Sequence, residues 1–396
     1  MKVNCPNCFA SLMFDATSGK MECRFCGCSF SMEDVKDQEE KELAAAKKQE
    51  SPDTMECNIY SCTACGAELS VNGVEASTFC AYCGQPTIVF SRVSQERRPE
   101  WIIPFKVPKE QAVEAIRGRF RQGMFIPKEV KDFEVERVRG IYIPYWLFDT
   151  YHYDKQLIKG TVGSGKRSRT KYFMREAECE FHNLSIDASS KLNDESSQRL
   201  EPFDTEEMKA FEVAYMSGYY ADCYDQSAGD LESTAYYRSK ELFDEKMLES
   251  VNARNKKIES SGPTHRVLKK SYALFPAWFM TFRYQDRPYT MLVNGQTGKL
   301  VGAVPFDTKK VVATLILTFL AAAAVFIPIC IGLISSMWMD EDLSKLLFLM
   351  AAAAFGMGSS GYRKMRRAQE NQKLTASTQI NQYAHNRQEQ SGGAYQ

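Results

Sequence analysis

The chain has 396 residues and carries 50 Lys and Arg against 50 Asp and Glu, so its formal net charge is zero at pH 7. This length gives room for two or three domains, and the balanced charge excludes the overall positive potential of a dedicated nucleic-acid-binding protein. With 44% hydrophobic and 25% charged residues, the composition also excludes a mostly disordered chain.

Cysteines are concentrated early in the sequence, where ten of the thirteen precede residue 84. Eight of them form two sets with the same Cys-x2-Cys-x14-Cys-x2-Cys spacing, and the second set repeats the first 57 residues later. The sets are Cys5, Cys8, Cys23 and Cys26, and then Cys62, Cys65, Cys80 and Cys83. Residues 1–30 contain no apolar run of signal-peptide length, so we expect reduced thiols rather than disulfides.

Each cysteine set predicts a zinc ribbon with one structural Zn²⁺ ion, which gives two structural sites. The two residues inside each pair allow a tight turn that presents both sulfurs to one ion, and Gly27 and Gly84 supply permissive backbone after the second pairs. Four protein ligands leave no position for water or substrate, so neither ion is expected to be catalytic. Cys28 and Cys57 fall outside the spacing and are expected to be bystanders, although either could replace a ligand.

The second ribbon contains no Lys or Arg between residues 57 and 90, but it contains Glu68 and Glu75. Thiolates around zinc add further negative charge, so this ribbon is expected to repel phosphate. Contact with protein, or a purely structural role, is the favoured interpretation.

Residues 97–306 alternate aromatic, β-rich runs with helical runs and predict an α+β domain. Strands are expected at 101–107, 141–153, 172–186, 265–284 and 289–304, with a hairpin around Asn294-Gly295. Helices are expected at 108–121, 206–224 and 230–259.

Six basic residues lie between positions 159 and 175 without an acidic neighbour. Four of them are the candidate contacts to an anionic surface: Lys166, Arg167, Arg169 and Lys171. Such a run is either a solvated loop or a site for anionic lipid headgroups or nucleic acid. The segment GTVGSGK superficially matches a phosphate-binding P-loop, but Arg167 stands where Mg²⁺ needs a Ser or Thr, and no helix is predicted after it.

No catalytic arrangement is predicted, and no small-molecule substrate is evident. The histidines His152, His182, His265 and His385 form no spaced motif, and Cys179, Cys223 and Cys330 are single thiols. We therefore expect a protein that is not an enzyme.

Two uncharged stretches, 311–334 and 346–362, predict a transmembrane helical hairpin over 311–362. Basic residues flank the hairpin and an acidic turn separates its helices, so the positive-inside rule predicts a multi-pass protein of the cell membrane with both termini in the cytoplasm. The predicted fold class is multidomain, with two small β zinc ribbons, an α+β middle domain and this hairpin. The predicted boundaries are 1–33 for ribbon 1, 34–56 for a charged linker, 57–92 for ribbon 2, 97–306 for the middle domain, 311–362 for the hairpin and 363–396 for a polar tail.

The order of these parts resembles a bacterial family, the membrane-anchored twin zinc-ribbon proteins of the YdjG type, which are also labelled TFIIB-type zinc-ribbon or replication-restart helicase-like. The resemblance rests on the two cysteine sets, the hydrophobic hairpin, and the segments IPYWLFD, FPAWFMTFRY and VNGQTGKLVG. It implies association with flotillin-like membrane proteins and with the phage-shock membrane-stress system. The helicase label is not supported, because working Walker A and Walker B motifs are both missing.

The leading hypothesis is a noncatalytic, membrane-anchored zinc-ribbon adaptor that docks partner proteins at the cytosolic face of the membrane, where tethering raises their effective concentration. Its expected partners are membrane lipids and flotillin-like proteins. The alternative is a membrane-tethered nucleic-acid-binding protein linked to replication. A third class, an ATPase, would require nucleotide binding that depends on Lys166.

Overall fold

The computed structural model describes residues 3–35, 53–64, 66–71, 80, 88–121, 126–131, 138–190, 199–284, 287–302, 307, 309–310 and 313. Except for Ala313, the predicted transmembrane hairpin at 311–362 and the polar tail lie outside them.

A small antiparallel sheet lies at the start of the chain and contains the first cysteine set. Its strands follow in the order β1-β2-β3: β1 (Met13–Asp15), β2 (Lys20–Glu22) and β3 (Ser29–Phe30). Such short strands bury little apolar surface, so this unit depends on packing against the rest of the chain and on any bound metal.

Twelve of the described strands form one large sheet. They are β4 (Thr54–Cys62), β5 (Glu68–Val71), β6 (Ile88–Arg97), β7 (Trp101–Ile102), β8 (Val138–Val162), β9 (Arg169–Asp187), β10 (Lys209–Ala210), β11 (Tyr220–Asp222), β12 (Arg254–Ser260), β13 (Thr264–Tyr284), β14 (Arg287–Asn294) and β15 (Leu300–Gly302). The main path is β10-β7-β13-β8-β11-β5-β4-β6; β9 and β12 pair with β8, and β14 joins β13 to β15. The α-helices include α1 (Lys109–Arg121), α2 (Lys128–Lys131) and α3 (Glu232–Glu249).

Strand β8 organises the large sheet, because its first half pairs with β13 and its second half with β12, while β9 runs beside most of it. The first half is rich in aromatic and β-branched residues and is buried on both faces. Tyr142 and Trp146 face one hydrophobic cluster, whereas Ile143 and Tyr145 face another. The period of two along the strand therefore divides the core into two layers.

The predicted fold class is wrong. The described residues are mostly β-sheet, and the second cysteine set does not lie on a separate small ribbon, since β4, β5 and β6 belong to the large sheet. The physical reason is that β5 pairs with β11, which in turn pairs with β8. Strands β4, β5 and β6 therefore join the large sheet through partners that are distant in the sequence. The boundaries predicted for the individual domains stay a prediction.

Several predicted elements of the middle region are confirmed, and two helices are not. The helix predicted at 108–121 corresponds to α1. The strands predicted at 141–153 and 172–186 lie within β8 and β9. The predicted helix at 206–224 is instead a series of 3₁₀ turns and short strands, because its aromatic side chains are buried in the core rather than along one helical face. The helix predicted at 230–259 ends at Glu249, and strand β12 follows.

The predicted multi-pass membrane location is also corrected. Across the described ranges, no helix combines the length and the apolar character needed to cross a bilayer. The longest of them, α3, has 18 residues but carries charged side chains such as Arg238, Lys240 and Asp244 in its middle. The segment of the predicted hairpin, 311–362, lies outside these ranges except for Ala313.

Candidate metal centre

The four cysteines of the first set come together at the base of the small sheet. The Sγ atoms of Cys5, Cys8, Cys23 and Cys26 all lie within 4.8 Å of one another. The separations are 3.6 Å between the sulfurs of Cys5 and Cys26 and 3.4 Å between those of Cys8 and Cys23. A tetrahedral ion with metal–sulfur bonds of 2.3 Å needs sulfurs about 3.8 Å apart, so a small adjustment completes the site. This group could hold a metal ion.

Local backbone geometry explains why each Cys-x2-Cys pair points both sulfurs the same way. The carbonyl oxygen of Cys5 accepts a 2.8 Å hydrogen bond from the Phe9 N–H, and that of Cys23 accepts one of 2.9 Å from the Gly27 N–H. Phe9 and Gly27 close these two turns with φ angles of 61° and 73°. The left-handed conformation suits glycine at position 27, whereas Phe9 adopts it at a cost in strain.

The cysteine sulfurs are electrostatically unequal. The backbone N–H of Cys26 lowers the pKa of Cys23 to about 6, helped by the N–H of Phe25 and by the neighbouring thiols and opposed by desolvation. For Cys8, the backbone N–H of Ala10 lowers the pKa, but desolvation and the three nearby cysteines outweigh it and raise the value to about 12. Cys23 therefore ionises first, and a thiolate is the form that binds metal.

Only part of the second set is described. Cys62 and Cys80 are buried, while Cys65, Cys83 and Gly84 lie outside the described residues. The backbone at Cys62 nevertheless repeats the turn of the first ribbon, because the Gly66 N–H donates to the Cys62 carbonyl at 2.8 Å and Gly66 has a φ of 69°. A backbone turn of the same kind is therefore present at Cys62, and the second metal site stays a prediction.

The two cysteines expected to be bystanders lie away from the four-sulfur group. Cys28 accepts a hydrogen bond from Nδ2 of Asn7 at 3.2 Å. Cys57 is buried in the large sheet, where desolvation raises its pKa. Neither belongs to the candidate metal group found among the described residues.

One side of the first ribbon is fixed to the large sheet through residues 213–219. The Phe14 N–H donates to the Ser217 carbonyl at 2.9 Å, and the Phe14 ring meets Tyr215 edge-on with centroids 5.3 Å apart. Two other aromatic residues of the ribbon are exposed. Phe9 and Phe25, which lie on the two cysteine turns, are 79% and 82% exposed.

The candidate anionic contacts lie at the hairpin between β8 and β9. Lys166 and Arg167 are in the 3₁₀ turn Gly165–Arg167, and Arg169 and Lys171 are exposed at the start of β9. This turn joins two antiparallel strands, so it lacks the strand-to-helix geometry of a P-loop. That these residues bind an anion stays a prediction.

Sequence reasoning missed a buried polar row on β8. Thr150, His152, Asp154 and Gln156 are all fully buried at alternate positions. His152 packs against Phe243 of α3 with ring centroids 4.6 Å apart, and neither of its ring nitrogens has a hydrogen-bond partner within the described structure. The available signal was the period of two among polar residues, which is equally typical of a solvated strand face.

Comparison with known proteins identifies one informative relative. The chain is similar to the uncharacterized protein YdjG of Bacillus subtilis (strain 168), with 29% identity over 324 residues that cover 78% of this chain and 91% of that protein. No protein-family model matches the chain, and no solved structure matches it. The similarity supports the resemblance to proteins of the YdjG type, and the name of this relative assigns no activity.

Proposed function

We propose that this chain is a noncatalytic adaptor in which a zinc-stabilised ribbon presents a docking surface to a partner protein. The observation that carries the proposal is the closed four-cysteine group with two exposed phenylalanines on its turns. The metal fixes the fold of the ribbon, and the ribbon holds the two rings in place.

Zinc is the ion that this donor set favours. Four thiolates at tetrahedral spacing suit Zn²⁺, and Cys5, Cys8, Cys23 and Cys26 would be its ligands. A bound ion supplies structural stability only, because the four sulfurs fill its coordination sphere. We extend the proposal to a second zinc ion at Cys62, Cys65, Cys80 and Cys83, since the turn at Cys62 has the geometry of the first site.

The exposed face of the ribbon has the character of a protein-binding surface. Phe9 and Phe25 are far more exposed than aromatic rings usually are, and aromatic anchors contribute much of the energy of protein interfaces. The Phe14–Tyr215 contact uses other residues of the ribbon, so among the described residues the two exposed rings remain available to a partner. Lys20 and Arg24 are balanced by Asp15 and Glu22, which favours a protein partner over phosphate.

Quantitative crosslinking in cells tests this function. We expect Phe25→Ser, and Phe9→Asn, which keeps a residue that tolerates a left-handed backbone, to reduce crosslinks to specific partners at least about tenfold, because each removes an aromatic anchor. Tyr237→Ser is the matched control, since Tyr237 is 67% exposed on α3, far in sequence from the ribbon. The flotillin-like proteins implied by the family resemblance are the first candidates for a pairwise binding assay with purified proteins.

Metal analysis provides a second, independent test. Purified protein should contain two zinc ions per chain, Cys5→Ser should contain one, and Cys5→Ser combined with Cys62→Ser should contain none. A crosslinking pattern that is the same for the wild type, the phenylalanine variants and the metal-free variant would contradict the adaptor proposal.

A further inference from the structure

The structure joins two basic segments that are distant in the sequence. Strand β12 pairs with the end of β8 beside the β8–β9 hairpin, where Lys257 lies opposite Lys159 and Arg254 lies opposite Thr161. Residues 157–175 and 254–260 together contain nine Lys or Arg and a single acidic residue, Glu259, although the whole chain has no net charge. We call this three-stranded region the basic tip.

Most of the positive charge at the basic tip is not neutralised. Glu259 lies 3.6 Å from the Lys159 ammonium and 4.0 Å from that of Lys257, so one carboxylate serves two cations. Arg167, Arg169 and Lys171 are exposed and have no ion pair within the described residues. A strong local positive potential on a neutral protein favours a polyanionic ligand.

One face of the basic tip also carries an exposed aromatic ring. Tyr172 is 60% exposed and lies directly opposite Lys159 in the β8–β9 register, and Met174 on the same face is 61% exposed. Cross-strand partners project from the same face of a sheet, so the Tyr172 ring, Lys159 and Lys257 form one row across three strands.

We propose that this face of the basic tip binds single-stranded nucleic acid. A base stacks on Tyr172, while Lys159, Lys257 and Arg254 contact the phosphates on either side. A single strand fits better than a duplex, because only an unpaired base can offer its face to the ring. It also fits better than a lipid surface, because the turn at 163–168 is GSGKRS and has no apolar side chain to insert between headgroups. This site is separate from the ribbon surface of the proposed function.

Fluorescence anisotropy with labelled oligo-dT and oligo-U of about 20 nucleotides, on the full chain, tests the proposal. We expect affinity to fall with salt at a log–log slope of about −2, because three phosphate contacts contribute about 0.7 each. Lys159→Glu combined with Lys257→Glu should weaken binding at least tenfold, because both side chains lie in the row with Tyr172. The matched control is Arg119→Glu combined with Lys269→Glu, which reverses the same charge on α1 and β13 and should leave the affinity unchanged.

Aromatic variants separate stacking from simple charge attraction. Tyr172→Ala should weaken binding about 5- to 100-fold, Tyr172→Phe should retain wild-type affinity, and the control Tyr237→Ala should have no effect. The absence of salt-dependent binding by the wild type, or an equal loss in the Arg119/Lys269 control, would overturn the proposal. Binding to vesicles containing phosphatidylglycerol, without oligonucleotide binding and without dependence on Tyr172, would also overturn it and assign the basic tip to lipid.

Discussion

Cys23 is the residue that best prepares the first ribbon for metal. The carbonyl and N–H groups of Cys23 both form hydrogen bonds in the turn. The backbone N–H of Cys26 lowers the pKa of the Cys23 thiol to about 6, and the N–H of Phe25 acts in the same direction. Cys23 can therefore offer a thiolate to the metal near neutral pH, whereas the Cys8 thiol, with its raised pKa, loses its proton only as the metal binds. The spacing of the cysteines predicted this site from sequence alone because all of its geometry is local.

Replacing Cys23 with serine should abolish tight metal binding. Loss of an outer-shell contact lowers metal affinity by up to about a hundredfold. Because Cys23 would be a direct ligand, we expect its loss to lower the affinity for Zn²⁺ by more than that. Competition with a chelating dye measures the affinity. Cys28→Ser is the matched control, because Cys28 lies outside the four-sulfur group, and equal losses in the two variants would contradict the assigned ligand set.

His152 creates a pH dependence of stability. Its burial lowers the pKa of its imidazole, the charge of His265 and that of Lys240 lower it further, and Asp154 and Asp244 act in the opposite direction. His265 also has a lowered pKa, chiefly through burial. Because the unfolded chain takes up these protons near pH 6.5 and the folded chain only at lower pH, the free energy of unfolding is unaffected above about pH 7 and decreases as the pH falls below about 6.5.

The variant His152→Leu should lose part of this acid sensitivity. Since neither ring nitrogen of His152 has a hydrogen-bond partner among the described residues, an apolar side chain removes a desolvation cost without breaking a bond. Urea unfolding at pH 5 and pH 8 measures the difference. His182→Leu is the control, because His182 is exposed on β9 and should leave the acid dependence of the wild type intact.

The contact between β1 and the 3₁₀ turn Val213–Met216 is the main link from the ribbon to the large sheet, and Gly218 follows that turn with a φ of 93°. A Cβ atom at Gly218 would lie 2.7 Å from Cε of Met13. Gly218→Ala should therefore reduce the free energy of unfolding by about 1–3 kcal/mol through backbone strain and this clash. Gly229→Ala is the control in the same denaturation experiment, since its Cβ would meet nothing nearer than 3.7 Å.

Adding Met13→Ala distinguishes the two causes. It should relieve the clash and restore part of the stability of Gly218→Ala, leaving the backbone strain. If the double variant regained the full wild-type free energy of unfolding, the positive φ of residue 218 would carry no cost. If Gly218→Ala lost no stability in the first place, the ribbon would not be held by this contact.

The elements that sequence could predict are those whose partners lie nearby in the chain. Helix α1 follows Pro108 and has an apolar face, and β8 and β9 are long alternating strands joined by one turn. The errors occur where distant partners decide the structure. Strand β12 has the composition of a helix end, but Ile258 lies opposite Ile158 of β8 and packs in the cluster under α3. Likewise, nothing within residues 54–97 indicates that β5 pairs with β11.

At the scale of the whole molecule, the metal should control the ribbon and not the large sheet. The pairing of β8 with β13 extends over nearly the full length of β13 and includes none of the eight predicted ligands. Removal of metal with a chelator should therefore increase amide hydrogen exchange in residues 3–35 and 213–219 and leave β8 and β13 protected. Hydrogen-exchange mass spectrometry measures this difference.

Restoring Zn²⁺ should restore the protection, whereas Mg²⁺, which prefers oxygen ligands, is the control ion. Loss of protection throughout the large sheet after metal removal would contradict this expectation. It would show that the ribbon and the sheet unfold as one unit.

The pairing of β5 with β11 has a consequence for synthesis on the ribosome. Leu69 finds its partner Asp222 about 150 residues later, a distance that takes roughly ten to thirty seconds to translate. During that interval the newly made cysteine turns cannot yet pack against the completed large sheet, and ion capture is the means by which the emerging chain can keep their thiols together. Zinc scarcity would thus act on the nascent polypeptide, before the finished protein exists to lose its ion.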